Sequence, residues 1–132
     1  MPPARAGGGP PVDRRKLDLG ARGEELAVAW YTGQGYTVLG RNWRCREGEL
    51  DLVVSRDHCV VFCEVKTRTG TGFGLPAEAV TGEKQRRLRR LATRWLGEQG
   101  PSKGFAELRF DVACVTVRAG SEPDLEVIEA AF

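Results

Sequence analysis

The sequence predicts a single domain of the α/β class, in which helices pack on a mixed β-sheet. Helical and strand-like segments follow one another in the order helix, three strands, helix, strand, strand. The length of 132 residues suits one domain, and 41% hydrophobic with 29% charged residues is ordinary for a globular protein. No apolar run reaches the roughly 18 residues of a membrane span, and the N-terminus lacks the apolar stretch of a signal peptide. We therefore expect a cytoplasmic protein with no membrane partner.

The two ends of the chain differ in composition. The segment 1–17 is rich in proline, glycine and arginine and has no apolar period, so we expect a disordered basic tail. A single domain is then predicted over residues 18–132. The acidic C-terminal residues offset the basic ones, so a net charge of +2 conceals a basic surface elsewhere. The four cysteines form no CxxC pair, and we expect reduced thiols.

The first predicted elements are a helix and a short strand. Residues 20–32 show apolar positions at spacings of three and four, and Gly33 and Gly35 end this helix. Residues 36–39 are predicted as a short strand, and the arginine-rich segment 41–48 as an irregular connector. The apolar stripe of the helix comprises Gly23, Leu26, Ala27 and Trp30.

A hairpin and a loop occupy the middle of the chain. Residues 50–54 and 59–67 are rich in β-branched and apolar side chains, and the polar turn 55–58 between them predicts an antiparallel pair. Three glycines in residues 70–74 predict a flexible loop after the second of these strands.

The second helix has the clearest periodicity in the chain. It is predicted over residues 81–97 and is closed by Gly100 and Pro101. Strands at 108–117 and 125–128 follow. The apolar stripe of the helix comprises Leu88, Leu91, Ala92, Trp95 and Leu96, with arginines on the opposite side.

Charged residues interrupt the two apolar strands of the hairpin. Asp51 lies between two leucines, and Glu64 and Lys66 follow an apolar run and share one face by the two-residue period of a strand. Antiparallel pairing brings Asp51 near Glu64, where two carboxylates repel each other unless a cation or a proton intervenes. Asp111 also interrupts an apolar strand, with no role assigned, and Glu49 is expected to face away from Asp51.

A divalent metal site is the chemical interpretation of this pattern. Asp51 and Glu64 supply the hard oxygen ligands that Mg²⁺ or Mn²⁺ prefers, and the backbone carbonyl of Val65 adds a third. Lys66 then lies where it offsets the charge of a phosphate under attack. The structural alternative is that Asp51, Glu64 and Lys66 form a salt-bridged triad in a half-exposed sheet.

The same residues resemble a known motif. Asp51 followed after 12 residues by Glu64-Val65-Lys66 is similar to the PD-(D/E)xK motif of the restriction-endonuclease-like nucleases, with Leu50 in place of the proline. A larger set resembles the YraN-like family, a bacterial family of predicted nucleases, and is similar to archaeal Holliday-junction resolvases. That set comprises Gly23-Glu24, Gly35-Tyr36, Arg41-Asn42-Trp43-Arg44, Gly48-Glu49-Leu50-Asp51-Leu52, Phe62-Cys63-Glu64-Val65-Lys66-Thr67-Arg68 and Lys84-Gln85-Arg86-Arg87-Leu88.

The resemblance implies a fold, an activity and further site residues. It implies a restriction-endonuclease-like mixed sheet flanked by helices, and a Mg²⁺- or Mn²⁺-dependent endonuclease acting on DNA, including branched or flapped forms. It assigns catalysis to Asp51, Glu64 and Lys66 and adds Glu24, a helix glutamate that contributes to the metal site through water. Because the related resolvases act as dimers, it also implies a homodimer.

Basic residues point to a nucleic-acid partner, DNA more than RNA. The second helix carries six lysines and arginines between residues 84 and 94 with no acid among them, a pattern typical of phosphate contacts. Two alternatives to a nuclease remain open, a non-catalytic nucleic-acid-binding protein that keeps the nuclease fold and an adaptor that binds protein partners. The residues expected to contact nucleic acid are Arg44, Arg68, Gln85, Arg86, Arg87, Arg90 and Arg94.

Overall fold

Two helices and five strands follow one another in the predicted order. The computed structural model describes residues 14–70, 81–99 and 104–132. The elements are helix α1 (Arg14–Gly33), strands β1 (Thr37–Cys45), β2 (Gly48–Arg56) and β3 (Cys59–Thr69), helix α2 (Gly82–Gln99), and strands β4 (Glu107–Val117) and β5 (Asp124–Ile128). Neither of these two helices is long and apolar enough to cross a membrane.

The five strands form one open sheet in which neighbours in sequence are neighbours in space, from β1 to β5. The pairs β1–β2, β2–β3 and β4–β5 are antiparallel, whereas β3 and β4 are parallel. A parallel pair needs a crossover connection, and helix α2 lies between β3 and β4 in the chain. The prediction of a mixed sheet with helices is confirmed at this level.

The two helices pack on opposite faces of the sheet. Alternate residues of β3 enter different cores: Val60 and Phe62 pack with α2, whereas Val61 and Cys63 pack with α1. On the α2 side the predicted stripe is confirmed, with Leu88, Leu91, Ala92 and Trp95 buried and Leu96 partly buried. On the α1 side the stripe is shifted, because the fully buried residues are Ala27 and Tyr31, whereas Trp30 is only partly buried. The cysteines are all free thiols, as expected.

Helix α1 is longer than predicted at its N-terminus. It begins at Arg14, so residues 14–17 of the expected tail are helical, and residues 1–13 lie outside the described part of the chain. Its C-terminus lies at Gly33, where the glycines predicted the end of the helix. Gly35 adopts a left-handed conformation (φ 89°), and the N–H groups of Gly35 and Tyr36 donate to the carbonyls of Thr32 and Tyr31. This double hydrogen bond is the Schellman arrangement that satisfies the last carbonyls of a helix.

The irregular connector predicted at residues 41–48 is wrong, because β1 continues to Cys45 and pairs with β2 up to Cys45 opposite Gly48. The strand is an edge strand with a register irregularity between Val38 and Gly40, and most of its arginine-rich half is exposed. These features remove the alternation by which a strand is recognised. The glycine-rich loop predicted at 70–74 falls, beyond Gly70, outside the described residues.

Candidate active site

Strands β2 and β3 separate at the position of the predicted carboxylates. Their antiparallel register runs from Arg56 opposite Cys59 to Leu52 opposite Cys63 and stops there. Asp51 and Glu64 are the next residue on each strand, so they face each other where the two strands diverge. We call this place the fork. The prediction that antiparallel pairing brings Asp51 to Glu64 is therefore met by the register.

The alternation of faces along β2 breaks at the same point. Leu50 packs in the core beneath α2 and Leu52 in the core beneath α1, although residues two apart on a regular strand share a face. Opposite Asp51 in the β1 register lies Asn42, whose φ of 51° is left-handed, a conformation that asparagine tolerates better than most residues. Asp51 therefore lies where β2 passes from one core to the other.

Asp51 replaces a missing strand-to-strand hydrogen bond. The N–H of Val65 donates to Oδ2 of Asp51 at 2.9 Å, beyond the point where the β2 backbone pairs with β3. Burial, together with the negative charges of Glu64, Glu24 and Glu49, raises the pKa of the Asp51 carboxyl to about 6, although the hydrogen bond from Val65 acts in the opposite direction. The fork therefore concentrates negative charge around a mostly buried carboxylate.

Glu64 is held from the opposite side by a lysine of helix α2. The Nζ of Lys84 lies 3.0 Å from Oε1 of Glu64, and both side chains are largely buried, with 18% and 13% of their surfaces exposed. The other oxygen, Oε2, is buried without a hydrogen-bond partner among the described residues. Lys84 is a site residue that the sequence analysis did not single out. The structural alternative was a salt-bridged triad of Asp51, Glu64 and Lys66. This triad is not formed, because within the described ranges Glu64 pairs with Lys84 and not with Lys66.

A cavity of about 410 Å³ opens between α1 and the end of β3, next to Val65, and neither Asp51 nor Glu64 lines it. Its walls are the N-terminal half of α1, including Glu24, and residues 65–69 of β3, including Lys66 and Arg68. Gly23 packs above Thr67 so closely that a Cβ at this glycine would lie 1.9 Å from the threonine Oγ1. The absence of a side chain at Gly23 therefore sets the distance between α1 and β3, and with it the position of Glu24.

Glu24 is near the fork without joining a tight cluster. Its charge is close enough to raise the pKa of Asp51, and it lines the cavity with Lys66. Within residues 14–70, 81–99 and 104–132, no three His, Cys, Asp or Glu side chains are grouped closely enough to hold a metal ion. Asp51 and Glu64 are thus a two-carboxylate site, and a cation there needs further ligands from the Val65 carbonyl, water or substrate.

The expectation that Glu49 faces away from Asp51 stays a prediction, because the alternation of faces along β2 is broken at Asp51. The charge of Glu49 is close enough to raise the pKa of Asp51. Its carboxylate lies 3.5 Å from Nε of Arg44, which is 77% exposed at the same end of the sheet. Arg44 is therefore an exposed cation at this end of the sheet, and its contact with nucleic acid stays a prediction.

Helix α2 presents a row of arginines to solvent. Arg86, Arg87 and Arg90 are exposed, opposite the buried stripe, as predicted. Arg94 differs, because it pairs with Glu47 at 2.8 Å and with Glu98 at 3.6 Å. Gln85 is half-buried near the start of the helix. Arg86, Arg87 and Arg90 therefore remain as the centre of the predicted phosphate-binding surface, and we call these three residues the arginine face.

Asp111 lies in a separate, structural network. It is fully buried and accepts hydrogen bonds from the hydroxyl of Tyr31 at 2.6 Å, from Arg109 at 2.8 and 2.9 Å, and from the N–H of Ala130 at 3.0 Å. Arg109 also donates to the hydroxyl of Tyr36 at 3.0 Å. These bonds tie α1, β4 and the segment after β5 together, so Asp111 is a fully hydrogen-bonded core residue.

Comparison with known proteins places the chain in a family. The model of the uncharacterised protein family UPF0102 matches residues 23–115, a range that includes Glu24, Asp51, Glu64 and Lys84. The chain belongs to this family. The match confirms the resemblance to the YraN-like (UPF0102) family that the motifs indicated.

Relatives from several bacteria are similar along nearly their whole length. A UPF0102 protein of Rhodococcus opacus is 47% identical over 116 residues, which cover 88% of this chain and 97% of the relative. A UPF0102 protein of Nocardia farcinica is 49% identical over 118 residues, covering 89% and 91%. A third, from Frankia casuarinae, is 49% identical over 119 residues, covering 90% and 99%. Their names state no activity.

Proposed function

We propose that this UPF0102 protein is a divalent-metal-dependent nuclease that hydrolyses phosphodiester bonds in DNA, with Asp51 and Glu64 as metal ligands. One observation carries the proposal: two carboxylates face each other at the fork, and Oε2 of Glu64 is buried with no partner among the described residues. A buried anionic oxygen without a partner is costly, and a bound cation removes that cost.

The donor set suits Mg²⁺ or Mn²⁺. Both ions prefer hard oxygen ligands, and Mg²⁺ commonly binds through one or two carboxylates with water and substrate phosphate completing the shell. Oδ2 of Asp51 is taken by the N–H of Val65, which fixes the carboxylate and orients its second oxygen. The Val65 carbonyl is the proposed third ligand, and Glu24 reaches the site through water from the cavity wall.

The chain's own residues supply the remaining chemistry. A divalent cation at the fork would polarise a phosphate oxygen and make a bound water more acidic. Lys66 lines the cavity next to Val65 and places a positive charge where negative charge develops on the phosphate during hydrolysis. The cavity leaves room beside Lys66 and Arg68 for a phosphate and the attacking water.

The arginine face supplies affinity for the DNA backbone. Lys84 in the first turn of α2 lies at the fork beside Glu64, so the exposed Arg86, Arg87 and Arg90 follow within two turns of the carboxylates. Contacts of this kind with phosphates provide sequence-independent binding that weakens with salt. The preference for DNA, the homodimer and the cytoplasmic location follow from the sequence arguments alone and stay predictions.

A cleavage assay tests the proposal. Duplex, single-stranded, flapped and four-way DNA are incubated with protein and Mg²⁺ or Mn²⁺, using wild type, Glu64→Gln and the matched surface variant Glu107→Gln. Glu107 is exposed at the start of β4. We expect product with wild type and Glu107→Gln, and none with Glu64→Gln or with EDTA.

If no DNA is cleaved, measurements of DNA and metal binding distinguish the two alternatives to a nuclease. If no substrate is cut while DNA binding remains salt-dependent, the protein is a non-catalytic nucleic-acid-binding protein. If neither metal nor DNA binds, the adaptor hypothesis takes the place of the nuclease. Equal product from wild type and Glu64→Gln would show that the activity does not come from the fork.

A further inference from the structure

Lys84 stands out among the cations of helix α2 because it is turned toward the sheet. Its side chain is 18% exposed and contacts Glu64, whereas Arg86, Arg87 and Arg90 are exposed to solvent. An ion pair between two largely buried side chains is much less screened by water and salt than a surface pair. This contact is therefore a specific feature of the fork.

The first turn of α2 fixes the position of Lys84. The hydroxyl of Thr81 accepts the N–H of Lys84 at 3.3 Å, and its carbonyl accepts the N–H of Gln85 at 2.9 Å. Thr81 thus caps the helix in the usual manner. Because the backbone of Lys84 is held by this cap, its ammonium reaches Glu64 from a rigid element.

The two oxygens of Glu64 have different environments. The ammonium of Lys84 neutralises Oε1, while Oε2 is buried and unpartnered within the described residues. A divalent cation on Oε2 would be separated from the ammonium only by the width of one carboxylate, and two cations at that distance repel strongly in a poorly solvated site. One carboxylate cannot hold both cations in their most favourable positions.

We propose that Lys84 is the counter-ion of Glu64 in the metal-free protein and competes with the divalent metal for this carboxylate. It acts as a positioning residue: it keeps Glu64 at the fork before the metal arrives and moves away when the metal binds. The inference rests on the metal site of the proposed function. It gives a role to Lys84, which is neither a metal ligand nor part of the arginine face.

The binding of Mn²⁺ to the free protein, measured by calorimetry at low salt, tests the proposal without any cleavage. Lys84→Met removes the competing charge, and we expect the dissociation constant to fall about 10-fold, the size of one partly screened charge–charge interaction. Arg90→Met removes the same charge from the exposed side of α2 and is the matched control, with an expected change of less than about 2-fold. Lys84→Arg keeps a cation at this position and should stay close to wild type.

Each outcome has a distinct meaning. Equal Mn²⁺ affinity in Lys84→Met, Arg90→Met and wild type would overturn the competition while leaving the metal site in place. Weaker binding by Lys84→Met would also overturn it, since Lys84 would then assist the metal. No binding of Mn²⁺ by any of these proteins would refute the metal site of the proposed function, and the competition with it.

A second measurement uses the unmodified chain. The protein has four lysines, Lys16, Lys66, Lys84 and Lys103, so acylation by an amine reagent can be followed at each site by mass spectrometry. We expect Mn²⁺ to increase the labelling of Lys84 relative to Lys103, because the ammonium leaves the carboxylate. Labelling of Lys84 that is unchanged or reduced by Mn²⁺ would contradict the displacement.

Discussion

Replacement of Asp51 by asparagine should stabilise the metal-free protein at neutral pH. Asp51 is a mostly buried carboxylate close to Glu64, Glu24 and Glu49, and this environment opposes its ionisation. Asparagine keeps the size of the side chain and an oxygen that can accept the hydrogen bond from Val65. The substitution therefore removes the unfavourable charge and leaves the contact that holds the fork together.

The magnitude follows from the difference between the folded and unfolded states. The pKa of Asp51 rises from its ordinary value of 3.8 to about 6 in the folded protein. The native state therefore binds the proton more tightly, and stability decreases as the pH rises from about 4 to about 6. Each pKa unit corresponds to about 1.36 kcal/mol, so we expect Asp51→Asn to be about 1–3 kcal/mol more stable than wild type above pH 7. The difference should vanish near pH 4.

Urea unfolding between pH 4 and pH 8 in the presence of EDTA measures this difference. Asp57→Asn is the matched control, because Asp57 is 91% exposed in the turn between β2 and β3 and asparagine tolerates its left-handed backbone. Mn²⁺ at about 1,000 Kd should reverse the order, since only wild type gains RT ln(1 + [L]/Kd), about 4.1 kcal/mol at that concentration. An Asp51→Asn protein that is less stable than wild type at every pH would refute the idea of a carboxylate held in an unfavourable site.

Three further predictions concern catalysis, DNA binding and packing. Lys66→Ala should leave Mn²⁺ affinity nearly unchanged and slow single-turnover cleavage by a factor of about 10² to 10³, the scale of losing one transition-state cation; an unchanged rate would remove Lys66 from the chemistry. The double variant Arg86→Ala/Arg90→Ala should flatten the slope of log affinity for DNA against log salt by about 1 to 2 units. The melting temperature should not change. An unchanged slope would show that the arginine face does not contact DNA. Gly23→Ala should cost roughly 1–3 kcal/mol in urea unfolding because its Cβ would overlap the strand beneath α1. Gly97→Ala, with open space around its Cβ, should instead stabilise the protein. If Gly23→Ala and Gly97→Ala changed the free energy of unfolding equally, the close contact between α1 and β3 would be contradicted.

The elements that follow a regular period were predictable from the sequence. Helix α2 repeats its apolar residues every three or four positions, and the hairpin of β2 and β3 is two apolar runs around a polar turn, so both were located within a few residues. Asp51 and Glu64 could be paired for the same reason, because antiparallel register follows from the position of the turn. Where the chain is regular, local sequence patterns are sufficient to predict its helices, its strands and the pairing of neighbouring strands.

The irregular parts of the site were not predictable in this way. Strand β1 lies at the edge of the sheet and contains a register irregularity and the left-handed Asn42, so its arginine-rich half lacks strand alternation. The break in alternation at Asp51 depends on how β1 and β3 hold β2, which only the packed sheet determines.

The contact between Lys84 and Glu64 depends on tertiary structure alone. The two residues are 20 positions apart in the chain, and they meet because α2 packs on the sheet with its first turn above the fork. A lysine at the start of a basic helix gave no sign in the sequence that it would face inward. The family motif containing Lys84-Gln85 was the one available signal.

An anomalous difference map from crystals soaked in Mn²⁺ would locate the metal itself. We expect a peak at the fork, coordinated by the carboxylates of Asp51 and Glu64 and the carbonyl of Val65, with Lys84 moved off Glu64. No peak at the fork at saturating Mn²⁺, with Lys84 still bound to Glu64, would contradict the metal site and the nuclease that depends on it.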